Sequence, residues 1–227
     1  MHALTIIWQV RGEILAGFGN TLLLFVIAAP LGFALGLLVL CLLEGPDNPA
    51  RRFVRLVLDL VRMLPCLIYA YILYYGLPAV GIRLDAWTAG CIALTTYHAA
   101  YFAEIFRGAR VALPKGQAEA ARAQGFRTLP MVFRILTPQL ILSSGPVLGN
   151  QLIVCLKDTA FLMIISVPEL TAAVTAVQAE HFIPLQAFVV AIGLYWLTTL
   201  LIAALVREVG RVALTRGLGY EQRNSRR

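Results

Sequence analysis

EIFRGARVALPKGQAEAARAQGFRTLPMVFRILTP, residues 104–138, decides how the rest of this chain is read. It is a basic segment, with Arg107, Arg110, Lys115, Arg122, Arg127 and Arg134, set between two long apolar runs. Inside it, Pro114 precedes Gln117-Ala118-Glu119-Ala120-Ala121-Arg122-Ala123-Gln124, and Gly125 follows. Proline favours the first turn of a helix and glycine the position just past its end, so the pattern predicts a short helix closed at Gly125. Its alanines favour helix and add almost no bulk. So short a helix is marginal alone and needs something to dock against. Small side chains let it sit deep in a groove, with Glu119 and Arg122 able to pair on the exposed side. The competing reading is a surface helix with no partner.

Outward from that insert the chain is oily. Of 227 residues, 59% are hydrophobic and 14% charged, with a mean hydropathy of +0.79. A soluble domain carries about 25% charged residues. The apolar runs also reach the roughly 20 residues that a helix needs to cross a bilayer. The expected fold is therefore an all-α integral membrane protein with five transmembrane helices, near residues 17–43, 56–78, 86–106, 139–156 and 184–206. The insert forms a cytoplasmic helix between the third and fourth spans. Residues 1–227 read as one domain, with a core at about 17–207 and a basic cytoplasmic tail at 208–227. The first run, near Gly17, lacks a basic leader and a small-residue cleavage site, so it is expected to be retained as a span.

Charge sets the orientation. The formal charge is +7, but the basic residues fall in the loop near 51–55, the insert 107–134 and the tail. Cytoplasmic loops of membrane proteins carry such an excess. The N-terminus is expected outside and the insert and C-terminus in the cytoplasm, with the lipid bilayer as the partner of the apolar surface and nucleic acid excluded.

Three local features add detail. Gly32 and Gly36 have GxxxG spacing, which lets a second helix approach closely. Asp59 and Arg62 can pair one turn apart. Pro65 leaves two readings of the second stretch: an interfacial helix through Met63 followed by a span, or one span with Arg62 snorkelling. Phe161–Val167, after Lys157-Asp158-Thr159, is too short to cross alone. Cys41, Cys66, Cys91 and Cys155 lie in apolar runs without CxxC spacing, and His2, His98 and His181 are scattered. They read as packing residues, and no metal site is expected.

Charged and polar groups inside a membrane mark pathways by default. Lys157-Asp158 after the fourth span leads, with Asn150 and Gln151 two turns earlier. Together with the hydroxyls of Tyr97 and Tyr101, Asn150, Gln151 and Asp158 offer a carboxylate, amides and aromatic faces to an ammonium. The plainer reading makes Lys157 and Asp158 markers of the outer interface and the tyrosines an aromatic belt. Glu104 and Arg107 read as a structural ion pair. A phosphate-binding loop needs Gly-Lys-Ser or Gly-Lys-Thr. The two lysines follow Pro114 and Leu156, so any ATP-driven step belongs to another chain, no catalytic residue is assigned and no cofactor is expected on this one.

Glu119-Ala120-Ala121, Gly125, Ile135 and Pro138 resemble the EAA motif of binding-protein-dependent ABC importer permeases. Tyr101–Ala109, Leu113–Gln117, Leu156–Leu162 and Val167-Pro168-Glu169-Leu170 are similar to the polar amino acid subfamily, the one serving histidine, arginine, glutamine and opines. The similarity covers about residues 17–207. Thr137 stands where leucine is usual, and Arg62-Met63-Leu64-Pro65 replaces Arg-Gly-Thr-Pro. The resemblance implies that residues 115–125 form a coupling helix seated on a cytoplasmic ATPase, with Gly116, Glu119, Ala120, Ala121 and Gly125 as docking residues. It further implies a second permease subunit, two ATP-binding cassette subunits holding ATP and Mg, and a periplasmic or extracellular solute-binding protein. The expected location is the bacterial inner membrane. The alternatives are a permease for another small solute, a secondary transporter or channel, or a structural membrane subunit. Five unequal spans with few buried ionisable groups give little support to the transporter and channel readings.

Overall fold

The computed structural model describes residues 2–215, and all the regular structure there is helical. After a short α1 (His2–Gln9), the long α2 (Arg11–Leu43) carries Pro30 in its interior without ending. It packs along α5 (Ala86–Ala112), and this is the most extensive helix pair in the molecule. The glycine spacing explains the closeness. A Cβ at Gly36 would meet Phe102 Cβ at 2.7 Å and Ala103 N at 2.9 Å, and one at Gly32 would meet the Thr95 carbonyl oxygen at 3.1 Å. Helix α5 starts where the Asp85 side chain accepts the Thr88 N–H at 3.0 Å and runs six residues past the expected end of the third span.

Between α2 and α5 the chain forms α3 (Pro49–Met63) and α4 (Cys66–Tyr71), which continues through a π turn, Ile72–Gly76, and a 3-10 turn, Leu77–Val80. Asn48 caps α3 by accepting the Arg51 N–H at 2.9 Å, and Pro49 occupies its first turn. The α3 axis meets that of Cys66–Val80 at 108°. Leu64 and Pro65 are both extended at the break, as a residue before proline prefers. The second stretch is thus two helices, and a single continuous span is ruled out. Helix α3 is amphipathic and buries none of its residues. Phe53, Val57 and Leu60 are exposed, and Asp59 pairs with Arg62 at 3.3 Å as expected.

The insert holds α6 (Lys115–Ala123), followed by α7 (Thr128–Met131), a π turn at Val132–Leu136, and α8 (Thr137–Ser143). The fourth apolar helix is displaced from its expected place. A break at Ser144 separates α8 from α9 (Gly145–Asp158), which continues as a 3-10 helix, Thr159–Ile165. Pro146 in the first turn of α9 lacks the N–H that would bond back into α8. Lys157-Asp158-Thr159 does not end the run, and Gly145–Ile165 is the long apolar unit. Buried Glu169 caps α10 (Leu170–His181), accepting the Thr171 and Ala172 N–H groups at 2.7 Å each and the Tyr195 hydroxyl at 3.1 Å. The last helix, α11 (Pro184–Thr215), carries the fifth apolar run on into the start of the basic tail. Residues 216–227 lie outside the described residues.

Among the described residues, Arg11–Leu43, Gly145–Ile165 and Pro184–Arg211 are long and apolar enough to cross a bilayer, and the bent pair 49–80 makes a fourth crossing if taken as one. Helix α5, at 27 residues or about 40 Å, has the length, but it ends in Glu104, Arg107 and Arg110. The buried apolar side chains form three packed regions. One lies around α1, α10 and α11, one around α4 and the middle of α5, and one around Phe102, Phe106, Met131 and Leu136 beside α6. Large apolar side chains stay exposed along α2 and α11, among them Leu31, Leu38, Ile192 and Trp196.

Candidate functional site

At the α6 end the helix is seated by its alanines. Ala118 and Ala121 are 2% and 3% exposed and join the core beside Met131 and Leu136, while Gly116, Glu119, Ala120 and Gly125 face outward. Four of the five predicted docking residues therefore share a free surface, and the fifth, Ala121, holds the helix to its own chain. Gly125 terminates α6 with φ +81°. Its N–H donates to the Arg122 carbonyl at 2.9 Å and the Phe126 N–H donates to the Ala121 carbonyl at 3.1 Å. That pair of bonds is the Schellman closure, which needs a left-handed residue and so favours glycine.

Glu44, at the end of α2, ties this region together. Its carboxylate accepts from Arg110 Nε and Nη2 at 3.2 and 3.1 Å and from Arg122 Nη2 at 3.2 Å. Arg122 thus pairs with Glu44 in place of the expected Glu119. One acidic side chain, 10% exposed, links the ends of α2 and α5 to α6. Nothing in the sequence marks Glu44 beyond its place between an apolar run and Gly45-Pro46. Concavities of about 470 and 350 Å³ share Arg122 as a wall, the second also reaching Glu119. In the turn beyond Glu44, hydrogen bonds from Arg52 and Arg55 hold the Asp47 carboxyl below its ordinary pKa. Glu104 pairs with Arg107 at 2.8 Å as expected, and also lies 3.4 Å from Arg62.

The other polar region is buried in the helix core. His98 is fully buried in the middle of α5, with Nδ1 2.7 Å from the Gln151 side-chain amide and Nε2 3.4 Å from Asp158 Oδ2. Gln151 and Asp158 are seven residues apart on one helix, so both project toward α5. His98 was missed as a site residue because a lone histidine in an apolar run reads as packing. The fold also brings Cys66, at the start of α4, beside His98 and Asp158. Spacing along the chain had given no hint of that grouping.

Tyr97 and Tyr101 serve the helix break. The Tyr97 hydroxyl donates to the Leu64 carbonyl at 3.0 Å and the Tyr101 hydroxyl to the Arg62 carbonyl at 3.2 Å, with the two hydroxyls 3.3 Å apart. They supply donors to carbonyls that the turn at Leu64-Pro65 leaves without helical partners. Tyr97 also packs edge-on against His98, with ring centroids 5.5 Å apart. Of the five predicted pathway residues, Tyr97, Tyr101, Gln151 and Asp158 gather around His98. Asn150 is exposed on another face of α9. Lys157 and Asp158 do not act as a pair: Asp158 points inward, and Lys157 is exposed beside a cavity of about 360 Å³ with Tyr195, Trp196 and Thr199. The gathered set brings a carboxylate, an imidazole, an amide and aromatic faces together.

Known proteins are similar to this chain both in fold and in sequence. The chain is 32% identical over 184 residues to the probable glutamine ABC transporter permease protein GlnM of Bacillus subtilis, covering 81% of this chain and 85% of that one. It is 31% identical over 233 residues to the octopine transport system permease protein OccM of Rhizobium radiobacter, covering 97% and 91%. Among solved structures, an amino acid ABC transporter crystallised with histidines superposes with a TM-score of 0.79 at 28% identity, over 90% of this chain and 96% of that one. A chain of the inward-facing MetNI methionine ABC transporter shares the fold, with a TM-score of 0.74 at 20% identity over 89% and 96%. The sequence profile of the binding-protein-dependent transport system inner membrane component matches residues 28–212, which takes in α6, the tyrosine clamp and the His98 centre together. By that match and those relatives the chain is a membrane permease component, a transport subunit and not an enzyme, and it belongs to the family of binding-protein-dependent transport system inner membrane components.

Proposed function

We propose that this chain is the permease subunit of an ABC importer for polar amino acids in the bacterial inner membrane, with the outer face of α6 as its coupling surface. The observation that carries the reading is the way α6 is held. Its alanines and Glu44 fix it to the ends of α2 and α5, while Gly116, Glu119, Ala120 and Gly125 stay free. A force on that face reaches two long helices directly. The cytoplasmic ATP-binding cassette pair would hold ATP and Mg, a second permease subunit would complete the pathway, and an external solute-binding protein would deliver substrate.

In this reading α5 is the third of five spans, residues 1–227 are one transport domain, the N-terminus lies outside and α6 and the C-terminus lie in the cytoplasm. Named relatives that carry glutamine and octopine support an amino acid as substrate. Asp158, Gln151, Tyr97 and Tyr101 around His98 are its polar contacts, with Asp158 set to receive an ammonium group. The test is uptake by the assembled complex in proteoliposomes. Uptake should require ATP and the binding protein, Glu119→Lys should abolish it and release the ATPase on purification, and Asp158→Asn should raise the substrate concentration needed. ATP-independent uptake would overturn the importer reading. Full uptake by Glu119→Lys would remove α6 from the coupling role.

A further inference from the structure

We propose that Cys66, His98 and Asp158 form a binding site for one thiophilic divalent metal ion of the zinc type. The three residues come from α4, α5 and the end of α9, and their ligand atoms all lie within 4.8 Å of one another. Cys66 is 4% exposed, His98 is fully buried, and the Asp158 side chain is 13% exposed. Among the described residues His98 Nε2 has no hydrogen-bond partner, because Asp158 Oδ2 at 3.4 Å lacks the geometry for one. A buried polar atom left unpaired is costly, and this one is aimed at a thiol and a carboxylate.

The chemistry of the set is selective. Thiolate, imidazole and carboxylate together suit zinc, and the thiolate disfavours magnesium and calcium. Zinc bonds of roughly 2.0–2.3 Å at tetrahedral angles set ligand atoms about 3.3–3.8 Å apart, so the side chains need to close by at most about 1.5 Å. Gln151 supplies the outer support. Its amide can turn so that the carbonyl oxygen accepts Nδ1–H, which leaves the Nε2 lone pair free for the metal. Binding releases the Cys66 thiol proton to solvent, and the two anionic ligands then balance the divalent charge. A neutral assembly is what a buried site requires, since an unpaired ion there is very costly. A bound ion would also link α4, α5 and α9, which resist separation once joined, so zinc should inhibit any motion that parts them. Only that last consequence rests on the transport reading.

The test uses the purified complex and needs no transport. After incubation with Zn²⁺ and desalting, the wild type should retain one ion per copy of this chain, and Cd²⁺ should give a thiolate-to-metal charge-transfer absorption. Cys66→Ser should abolish the absorption, and Cys66→Ser and His98→Gln should each weaken retention at least 10-fold. Cys155→Ser, which changes a buried cysteine outside the set, should alter neither. Zn²⁺ should raise the melting temperature of wild type and not of Cys66→Ser, a comparison made within each folded protein. Loss of the ion from wild type on desalting, or equal retention by Cys66→Ser and wild type, would overturn the site. If the ion binds as stated and uptake is unaffected by it, the site stands and the inhibition fails.

Discussion

The α6 end and the His98 centre are both polar, and they are built on opposite terms. At α6 the ties are charged and one of them reaches solvent: Arg122 is half exposed where it meets the largely covered Glu44 and Arg110. At His98 the polar atoms are enclosed by the helices that carry them. A solvent-facing tie that breaks is replaced by water, so its net contribution is small and it can re-form in a new geometry. An enclosed tie that breaks strands its partner. The first arrangement can yield and re-form, and the second keeps one geometry until something displaces it.

The largest effect is therefore expected in the centre. His98→Leu leaves the buried Gln151 amide without its partner and opens space around the ring, for a loss of about 3 kcal/mol at most. It should show as a fall in the melting temperature of the detergent-solubilised protein. Glu44→Ala is the matching test at the other end. Arg110, 18% exposed, loses its carboxylate while Arg122 turns to water, for about 2 kcal/mol at most. If Glu44→Ala proved the more damaging of the two, the contrast between a yielding end and a rigid centre would fail.

These two substitutions also mark what the sequence made legible. Helix α6 was readable because its information is contiguous: Pro114, the alanines and Gly125 lie within one short stretch, and local propensity fixes helix, face and stop. The GxxxG contact was readable for the same reason. His98, Cys66 and Asp158 are separated by dozens of residues and meet only because α4, α5 and α9 pack together, so no window along the chain holds the pattern. Glu44 escaped notice in the same way, its two arginines lying on α5 and α6. The fourth span was misplaced because hydropathy saw Lys157-Asp158 as an end. The helix instead carries both charges and turns one inward and one outward.

The tyrosine clamp gives a smaller effect that sharpens the comparison, since it borders the His98 centre and holds the break between α3 and α4. Tyr97→Phe keeps the ring against His98 and removes only the donor to the Leu64 carbonyl, at a cost of about 1 kcal/mol. Tyr101→Phe does the same at Arg62. Because the hydroxyls lie 3.3 Å apart, either can partly cover for the other, and the double substitution should cost more than the sum of the singles. Strict additivity in melting temperature would mean that the two act independently and that the break at Leu64-Pro65 is held by other contacts.

The smallest effect is expected at Asp47, in the turn that follows Glu44. Its carboxylate, about half exposed, accepts hydrogen bonds from Arg52 and Arg55, and these lower its pKa from the ordinary 3.8. A carboxyl whose folded pKa is depressed contributes stability above its unfolded pKa and loses it as pH falls through the folded value. The turn should therefore be indifferent to pH from neutrality down to about 4 and loosen only below that, where Asp47 takes up its proton. Asp47→Asn should leave the melting temperature at pH 7 unchanged within error, since exposed pairs of this kind contribute little. It should also flatten whatever acid dependence hydrogen exchange reveals in residues 44–52. A marked loss of stability at neutral pH would mean that this turn is as rigidly held as the His98 centre. The flexibility assigned to the α6 end would then have to reside in α6 and its arginines alone.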